Sequence, residues 1–326
     1  MYPTNHGDVF VKQLFCGIDL GGTTINIGMI ATDGTLVRET KIRSSVDKGV
    51  DYVVNAIGNV VGQCRKETEH LYKTAAVGIG VAGLVDTKRG ILKEATNFPG
   101  WINVPLVELL GAKLNLPVTI DNDANVAALG EYTFGAGRQS SHMMMVTLGT
   151  GVGGGLILDG MIYRGAFGAA GEFGHITIKM DGIRCTCGRR GCIEAYVGSK
   201  ALIRDAQTRL YQFPQSLLRN YETSKLTPKD VFDAAKSGDE PAQDVFRRAG
   251  DYLGYGLGNV VNLLNIERVV LGGGVALAGE LLIEAAQTRL NQCDLNNNEF
   301  SVPIVKSRLG EHAGMVGAAS LAMSIE

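Results

Sequence analysis

The stretch Thr147-Leu-Gly-Thr-Gly-Val-Gly-Gly-Gly155 decides the fold of this chain. An apolar run from His142 leads into it, and Leu156-Ile-Leu158 with the turn pair Asp159-Gly160 follows it. This order predicts two antiparallel strands joined by a glycine turn. The glycines also match the dinucleotide fingerprint G-x-G-x-x-G, but that fingerprint requires a helix directly after the loop. A Rossmann domain, and with it a nicotinamide oxidoreductase, is therefore the weaker interpretation.

A second stretch near the N-terminus repeats this arrangement. Its strand, turn, strand and second turn are Leu14–Leu20, Gly21-Gly22-Thr23-Thr24, Ile25–Ile30 and Asp33-Gly34. Two such hairpins predict two similar halves, with a nucleotide's phosphates in the cleft between the turns. The turn Gly21–Thr24 taken alone would favour an ordinary hairpin. Backbone N–H groups and threonine hydroxyls of such turns can donate hydrogen bonds to phosphate. Asp19 would repel phosphate unless a cation lies between them, which implies Mg²⁺.

A third glycine turn follows the predicted strand that begins at Arg268 and precedes a helix predicted over Leu277–Leu290. It can pass under an adenine or a ribose, or it can be a plain connector. Together the three turns supply the predicted ATP-binding residues. These are Asp19, Gly21, Gly22, Thr23, Thr24, Thr147, Gly149, Thr150, Gly151, Gly272, Gly273 and Gly274.

The stretch from Gly171 to Glu194 contains a metal-ligand pattern. One imidazole and three thiols form the Cys3His set of closed tetrahedral zinc sites. Glycines 188 and 191 allow a tight turn to present the sulfurs to one point. A disulfide is disfavoured because Cys185 and Cys187 are too close to pair easily and one thiol would remain. The predicted zinc ligands are His175, Cys185, Cys187 and Cys192.

Two acids border this pattern. Glu172 lies three residues before His175, and Glu194 lies two residues after Cys192. A zinc ion that fixes both ligands would also fix both carboxylates, which favours a role beyond that of a structural staple. A plain zinc knuckle with solvated acids is the alternative.

Polar residues at two other turns join the candidate site. Asn97-Phe-Pro-Gly-Trp101 predicts a rigid turn whose Asn97 offers a donor and an acceptor to a polyol, or else a simple surface turn. Asn122 and Asp123 follow the predicted strand Leu116–Asp121 and precede a predicted helix. Either residue can cap that helix, and a carboxylate at a strand end is also well placed as a general base.

Hydrophobic periodicity predicts several further elements. Helices are expected over Val50–Arg65, Ser199–Leu210, Pro228–Lys236, Pro241–Leu264 and Ala313–Met323, and a strand over Val302–Ser307. The stretch Val77–Asp86 predicts a buried strand that runs into a glycine-rich loop. The helix Pro241–Leu264 contains four glycines from Gly250 to Gly258, which indicates close packing against a neighbour.

Composition limits the class of protein. A length of 326 residues suits two domains, and 44 glycines without a collagen period are typical of nucleotide folds. The formal charge of −2 gives no reason to expect nucleic acid or an anionic membrane as partner. The polar start Met1–Lys12 lacks the design of a signal peptide, and no apolar run is long enough to span a bilayer. Three isolated and three clustered cysteines indicate a reducing compartment, so we expect a cytoplasmic protein.

Four motifs, in order, resemble those of the ROK family (repressors, open reading frames and sugar kinases) along almost the whole chain. They are Asp19–Thr24, Thr147–Gly155, Gly171-Glu-Phe-Gly-His175 and Cys185-Thr-Cys-Gly-Arg-Arg-Gly-Cys-Ile-Glu194. The resemblance implies an α/β chain with an actin-like ATPase (ribonuclease H-like) fold, whose two domains close over a cleft. It also implies transfer of a phosphoryl group from ATP to a hexose. We expect the domains at residues 1–122 with 310–326 and at residues 123–309.

The family's residue roles carry over to matching positions. Asp123 would accept the proton of the sugar hydroxyl, and His175 would bind the sugar by one ring nitrogen and zinc by the other. Asparagines would hold one end of the ring and glutamates the other. The implied sugar-binding residues are Gly83, Asn97, Asn122, Asp123, Glu172, His175 and Glu194.

The family contains both kinases and repressors. Its repressors carry a DNA-binding helix-turn-helix before the first glycine hairpin, and the short leader here leaves no room for one, so we expect a kinase. The motifs at Asn97–Trp101 and Gly171–His175 most resemble those of bacterial glucokinases, which favours glucose. Kinases of N-acetylmannosamine, N-acetylglucosamine, allose and fructose share nearly all of them. A non-catalytic sugar sensor is the alternative of another class, and the presence of Asp123 argues against it.

The family often forms dimers. We therefore expect a homodimer, with the glycine-interrupted helix near Asp251–Leu264 as its contact.

Overall fold

A computed structural model describes residues 12–275, 279–295 and 301–325. Its strands are β1 (Lys12–Leu20), β2 (Thr24–Ala31), β3 (Leu36–Arg43), β4 (Tyr72–Val81), β5 (Leu84–Asp86), β6 (Ile91–Glu94), β7 (Ile102–Val104), β8 (Val118–Asn122), β9 (Met143–Leu148), β10 (Val152–Leu158), β11 (Met161–Ile162), β12 (Arg268–Gly272) and β13 (Ile304–Lys306). Its helices are α1 (Val50–Thr68), α2 (Leu106–Leu114), α3 (Asp123–Phe134), α4 (Glu194–Val197), α5 (Ser199–Gln212), α6 (Pro228–Lys236), α7 (Glu240–Leu264), α8 (Glu280–Cys293) and α9 (Ala313–Met323).

The described residues form two compact units. Unit 1 extends to Gly130 and resumes at Gly314, and unit 2 is Glu131–Ala313. The main sheet of unit 1 has the order β3-β2-β1-β4-β8, and the sheet of unit 2 has the order β11-β10-β9-β12-β13. In both sheets the first two pairings are antiparallel and the last two are parallel. The repeated glycine hairpin therefore correctly predicted two halves with one topology.

Helix α9 packs directly on the sheet of unit 1. A Cβ atom at Gly17 of β1 would lie 1.9 Å from the Met315 carbonyl oxygen, and one at Gly78 of β4 would lie 1.7 Å from that of Ala318. Only glycine permits such an approach of strand and helix. At Gly78 the close approach is therefore made by a helix of the same unit.

A small sheet, β5-β6-β7, and helix α2 also belong to unit 1, and the sequence analysis did not predict them. The Asn97–Trp101 turn joins β6 to β7. Phe98 and Trp101 are buried and meet edge to face at 5.2 Å, and Trp101 Nε1 donates a hydrogen bond to the Val46 carbonyl at 3.2 Å. The turn is thus anchored in the core of unit 1, and Asn97 remains exposed.

The glycines of α7 serve packing inside unit 2. A Cβ atom at Gly250 would lie 2.4 Å from the Leu282 carbonyl oxygen of α8, and one at Gly254 would lie 2.4 Å from that of Ala286. On another side of α7, a Cβ atom at Gly256 would lie 2.5 Å from the Ile193 side chain. The expected close neighbour is therefore α8 of the same chain, and these glycines supply no argument for a dimer contact.

Several element bounds can be compared with the periodicity. Helices α6 and α9 have the predicted bounds, and α7 begins one residue earlier than predicted because Asp239 accepts a capping hydrogen bond from the Ala242 N–H group at 3.2 Å. Strand β13 is shorter than the predicted Val302–Ser307. The predicted start of α8, Leu277, lies outside the described residues. None of the helices in the described ranges combines the length and apolar character that a bilayer crossing requires.

Candidate functional site

The first glycine turn lies between β1 and β2 and is closed by a hydrogen bond from the Gly21 N–H group to the Thr24 carbonyl at 3.0 Å. The Ser44 hydroxyl donates to the Gly22 carbonyl at 2.7 Å and fixes the other side of the turn. A Cβ atom at Gly22 would lie 3.2 Å from the Asn97 Cβ. The turn predicted for phosphate and the turn predicted for the sugar are therefore neighbours in unit 1.

Asp19, near the end of β1, is half-buried. Its carboxylate accepts a hydrogen bond from Asn26 Nδ2 at 3.1 Å, and Gly314 lies beside it. Burial raises the pKa of Asp19 above its usual value. No Lys or Arg among the described residues forms a direct ion pair with it. A carboxylate in this situation fits a divalent cation that is completed by water and substrate phosphates.

Asn122 is the cap of α3. Its side-chain Oδ1 accepts hydrogen bonds from the N–H groups of Ala124 at 2.9 Å and Asn125 at 3.3 Å. Its Nδ2 donates to the Gly83 carbonyl at 3.1 Å, which ties β8 to the segment after β4. The sequence left open which of the two residues caps the helix and which is the general base. In the structure Asn122 is the cap, so Asp123 is the candidate base.

Asp123 is the first residue of α3, and its Oδ1 accepts a hydrogen bond from the Ala124 N–H group at 2.9 Å. Burial raises the pKa of Asp123, and the negative charge of Asp19 raises it further. Opposing hydrogen bonds from Ala124 and Asn122 only partly offset these effects. A carboxyl group with a raised pKa at the start of a capped helix has the properties of a general base.

The raised pKa predicts a pH-dependent cost in stability. Since the folded protein holds this proton more tightly than the unfolded chain, stability falls as the pH rises from about 3.9 through the raised pKa of Asp123. We expect Asp123→Asn to melt at a higher temperature than the wild type at pH 7, and the difference to shrink below about pH 4. Thermal unfolding of both proteins across this range tests it. A difference independent of pH would contradict the assignment.

The second glycine turn, between β9 and β10, is fixed in the same manner. The Gly149 N–H group donates to the Gly151 carbonyl at 2.9 Å. The Gly149 carbonyl accepts hydrogen bonds from both the N–H group and the hydroxyl of Ser199, at 2.9 and 2.7 Å. Because Ser199 begins α5, this turn lies at the start of a helix, where backbone N–H groups favour anions.

The loop predicted to bind sugar, Gly171–His175, packs against β10. A Cβ atom at Gly154 would lie 2.5 Å from the Gly171 carbonyl oxygen, and one at Gly174 would lie 2.1 Å from that of Val152. Phe173 between them is buried in the core of unit 2. The loop is thus held by its packing on β10 and by Phe173. Its Glu172 is exposed and its His175 is half-buried.

The predicted zinc ligands meet at one point. One ligand atom from each of His175, Cys185, Cys187 and Cys192 lies within 4.8 Å of all the others. The Cys187 and Cys192 Sγ atoms are 3.6 Å apart, and Cys185 Sγ is 3.8 Å from His175 Nδ1. Tetrahedral Zn–S bonds of about 2.3 Å place sulfurs roughly 3.8 Å apart, so the cluster has the size of a zinc site.

The protonation of the thiols also suits a cation. The backbone N–H group of Arg189 lowers the pKa of Cys187 to about 6, whereas burial raises the pKa of Cys192 to about 12. Zinc binds cysteine as the thiolate, so a bound divalent cation would displace the proton that burial favours on Cys192. The turn is held by the Cys185 N–H group, which donates to the Arg189 carbonyl at 2.8 Å.

Glu194 connects the zinc loop to the second glycine turn. Its Oε1 accepts a hydrogen bond from the Thr186 hydroxyl at 2.9 Å, and its Oε2 accepts one from the Val152 N–H group at 3.1 Å. A Cβ atom at Gly151 would lie 2.7 Å from Oε2. Unit 2 thus brings together a predicted sugar ligand, the zinc loop and a predicted phosphate turn.

The third glycine turn borders a cavity of about 220 Å³. Gly273 has a positive φ of 86°, and a Cβ atom on it would lie 2.4 Å from the Leu148 carbonyl oxygen, so the turn passes directly beside the end of β9. The cavity is lined by Leu271, Gly272, Gly273, Gly274, Lys306, Ser307, Gly310 and Glu311.

The sequence analysis missed the polar residues that hold these turns. Ser44 and Ser199 each fix a glycine carbonyl, and Glu131 holds the segment Ser307–Leu309. Of these three residues, only Ser199 could be noticed in the sequence, because it is the first residue of a predicted helix. The partners of Ser44 and Glu131 are distant in the chain.

Comparison with known proteins identifies the family. The model of the ROK family matches residues 15–325, and the chain belongs to this family. Glucokinase of Thermotoga maritima is 35% identical over 312 residues, covering 95% of this chain and 97% of that protein. Glucokinase of Halalkalibacterium halodurans is 36% identical, with 93% of each chain covered. The xylose repressor of Bacillus subtilis is 29% identical over 94% of this chain and 76% of its own.

A solved structure also corresponds closely. It is a ROK family glucokinase from Streptomyces griseus in complex with glucose and AMPPNP, 35% identical, with a TM-score of 0.81. The alignment covers 95% of this chain and 99% of that one. The predicted α/β fold of the actin-like ATPase type is confirmed.

Proposed function

We propose that this ROK family sugar kinase transfers the γ-phosphoryl group of ATP to glucose and forms glucose 6-phosphate. The observation that carries the proposal is Asp123, a carboxylate of raised pKa at the start of a helix that its neighbour Asn122 caps. Further support comes from two glucokinases that are 35% and 36% identical to the chain over nearly its full length. A relative with bound glucose and an ATP analogue has the same fold.

Asp123 would act as the general base in unit 1. It accepts the proton of the sugar hydroxyl as that oxygen attacks the γ-phosphorus, and the leaving ADP takes the electron pair of the broken P–O bond. Alignment of the attacking oxygen supplies much of the rate in such transfers. Asn97 and Asn122 would hold ring hydroxyls. The Asn122 amide donates one N–H to the Gly83 carbonyl, so its second N–H is the one to offer to sugar.

In unit 2, Glu172, His175 and Glu194 would bind the other hydroxyls. The side chain of His175 turns Nδ1 towards Cys185, so Nε2 would face the sugar. Glu194 already accepts hydrogen bonds from Thr186 and Val152, and a sugar hydroxyl would donate a further one. Zinc held by His175 and the three cysteines would keep the loop in place and take no part in the chemistry.

The glycine turns would bind ATP. Backbone N–H groups of the turns at Gly21–Thr24 and Gly149–Gly151 would donate to phosphate oxygens, and the cavity at Gly272–Gly274 would receive the adenosine. Asp19 would hold Mg²⁺, and the ion would supply positive charge to the phosphate groups. Dependence on ATP and on reduced thiols favours the cytoplasm, and a homodimer remains a prediction from the family.

A coupled assay of ADP release tests the substrate. Purified protein with ATP and Mg²⁺ is offered glucose, mannose, fructose, allose, N-acetylglucosamine and N-acetylmannosamine. We expect kcat/KM for glucose to exceed the next sugar by at least about tenfold. A higher kcat/KM for an N-acetylated sugar would show that the substrate is not glucose, and the base and zinc proposals would stand. An absence of ADP release with every sugar would favour a non-catalytic sugar sensor.

A further inference from the structure

Glu131 is a carboxylate with no solvent exposure in the third turn of α3. Its Oε1 accepts hydrogen bonds from the Ser307 hydroxyl at 2.5 Å and the Leu309 N–H group at 2.8 Å. Its Oε2 accepts from the N–H groups of Ala136 at 2.7 Å and Arg308 at 3.1 Å. Each oxygen therefore has two donors, and no lysine or arginine side chain among the described residues forms an ion pair with this carboxylate.

Three of these donors belong to one segment, Ser307–Leu309, which is more than 170 residues away in the chain. The same segment is attached to β12, because the Ser307 N–H group donates to the Leu271 carbonyl at 2.7 Å. The Ser307 hydroxyl in turn accepts a hydrogen bond from the Gly310 N–H group at 2.8 Å. Glu131 thus determines the course of the chain from β13 to Gly310.

This segment is a wall of the cavity beside the third glycine turn. Ser307 and Gly310 line the cavity together with Gly272–Gly274. A shift of the segment would change the width of the cavity, whose lining includes neither Asp123 nor any residue of the Gly171–His175 loop. The consequence of losing Glu131 should therefore fall on the ligand of this cavity.

We propose that Glu131 is a positioning residue for the nucleotide: its buried carboxylate holds Ser307–Gly310 as the wall against which the adenosine part of ATP binds. The proposal rests on the nucleotide role of this cavity, which belongs to the proposed function. Glu131 itself touches neither ATP nor sugar.

The chain offers a matched control in Asp239. This carboxylate is also buried, and it accepts hydrogen bonds from the Ser216 hydroxyl at 2.8 Å, the Leu217 N–H group at 2.8 Å and the Ala242 N–H group at 3.2 Å. It organises a loop as Glu131 does, but that loop does not line the cavity. Asp239→Asn should cost stability as Glu131→Gln does and leave the nucleotide unaffected.

The experiment compares Glu131→Gln, Asp239→Asn and wild type. Gln keeps the size of the side chain but turns one oxygen into an NH₂ group that cannot accept a hydrogen bond. Each carboxylate oxygen accepts from at least one backbone N–H group, so at least one of the four hydrogen bonds is lost in either orientation of the amide, and only the Ser307 hydroxyl can turn to accept instead. We expect Glu131→Gln to raise the KM for ATP and the Kd for ADP by about tenfold, with the KM for sugar within about twofold of wild type. We expect Asp239→Asn to change none of these constants beyond about twofold.

Two results would overturn the proposal. One is an unchanged ATP KM and ADP Kd in Glu131→Gln, and the other is an equal rise in Asp239→Asn, which would indicate general destabilisation. If Glu131→Gln does not fold, the variant Ser307→Ala replaces it, because it removes one of the four donors to Glu131. We expect the Kd of this variant for ADP to rise by about threefold. In that case an unchanged Kd would overturn the proposal. The ADP titration by calorimetry needs no sugar, so a wild type inactive on every sugar would refute the proposed kinase reaction alone.

Discussion

Replacement of Asp123 by Asn should lower kcat by at least about 10²-fold, because the attacking sugar hydroxyl then has no base to accept its proton. The Asn side chain keeps an oxygen that can accept the hydrogen bond from the Ala124 N–H group, so α3 should start unchanged. We expect the affinity for glucose, measured by calorimetry, to remain within about twofold of wild type. The coupled assay measures the loss of turnover.

The stability of the same variant is its internal control. Since removal of a buried charge should raise the melting temperature at pH 7, a loss of activity in a more stable protein cannot come from unfolding. In the wild type, kcat/KM should fall in acid with an apparent pKa above about 3.9, as Asp123 becomes protonated. A variant that keeps kcat within about tenfold of wild type would remove Asp123 from the chemistry.

Replacement of Cys187 by Ser should abolish zinc binding and weaken sugar binding by about tenfold or more, because the loop that carries His175 loses its anchor. We expect about one zinc ion per chain in the wild type. Cys187 is exposed, so the substitution removes a ligand with little loss of packing. Metal analysis of the purified proteins and the KM for glucose measure the two effects.

Cys293→Ser is the matched control for this experiment. Cys293 is a half-buried thiol of α8 that lies against Gly258 and belongs to no metal cluster in the described part of the chain. We expect this variant to retain zinc and the wild-type KM for glucose. A metal-free wild type of full activity, or a Cys187→Ser variant with unchanged KM, would separate the zinc site from sugar recognition.

Features encoded by neighbouring residues were predictable from the sequence. Both glycine hairpins are continuous strand-turn-strand units, β1–β2 and β9–β10, and the order of their residues distinguished them from a Rossmann loop. The zinc cluster was equally local, since Cys185, Cys187 and Cys192 lie within eight residues. Its histidine was found because His175 precedes the same turn.

Features that depend on distant contacts were not predictable in this way. The Asn97–Trp101 turn is a core element only because Trp101 reaches the Val46 carbonyl, 55 residues away. The glycines of α7 indicated a closely packed neighbour, but the sequence pattern does not show whether that neighbour lies in the same chain or in a second subunit. In the structure it is α8 of the same chain. The buried role of Glu131 could not be predicted from the sequence, since a single glutamate near the end of a helix usually faces solvent.

The position of α9 sets an order of events during synthesis on the ribosome. Glycines 17 and 78 leave a groove on β1 and β4 that α9 fills, and α9 lies beyond all of unit 2 in the chain. We therefore expect the first strands to keep an apolar face uncovered until Glu131–Ala313 has been translated. Unit 2, which is continuous in sequence, is complete before that moment and can fold first. We therefore expect unit 1, which is completed by α9, to reach its final structure last.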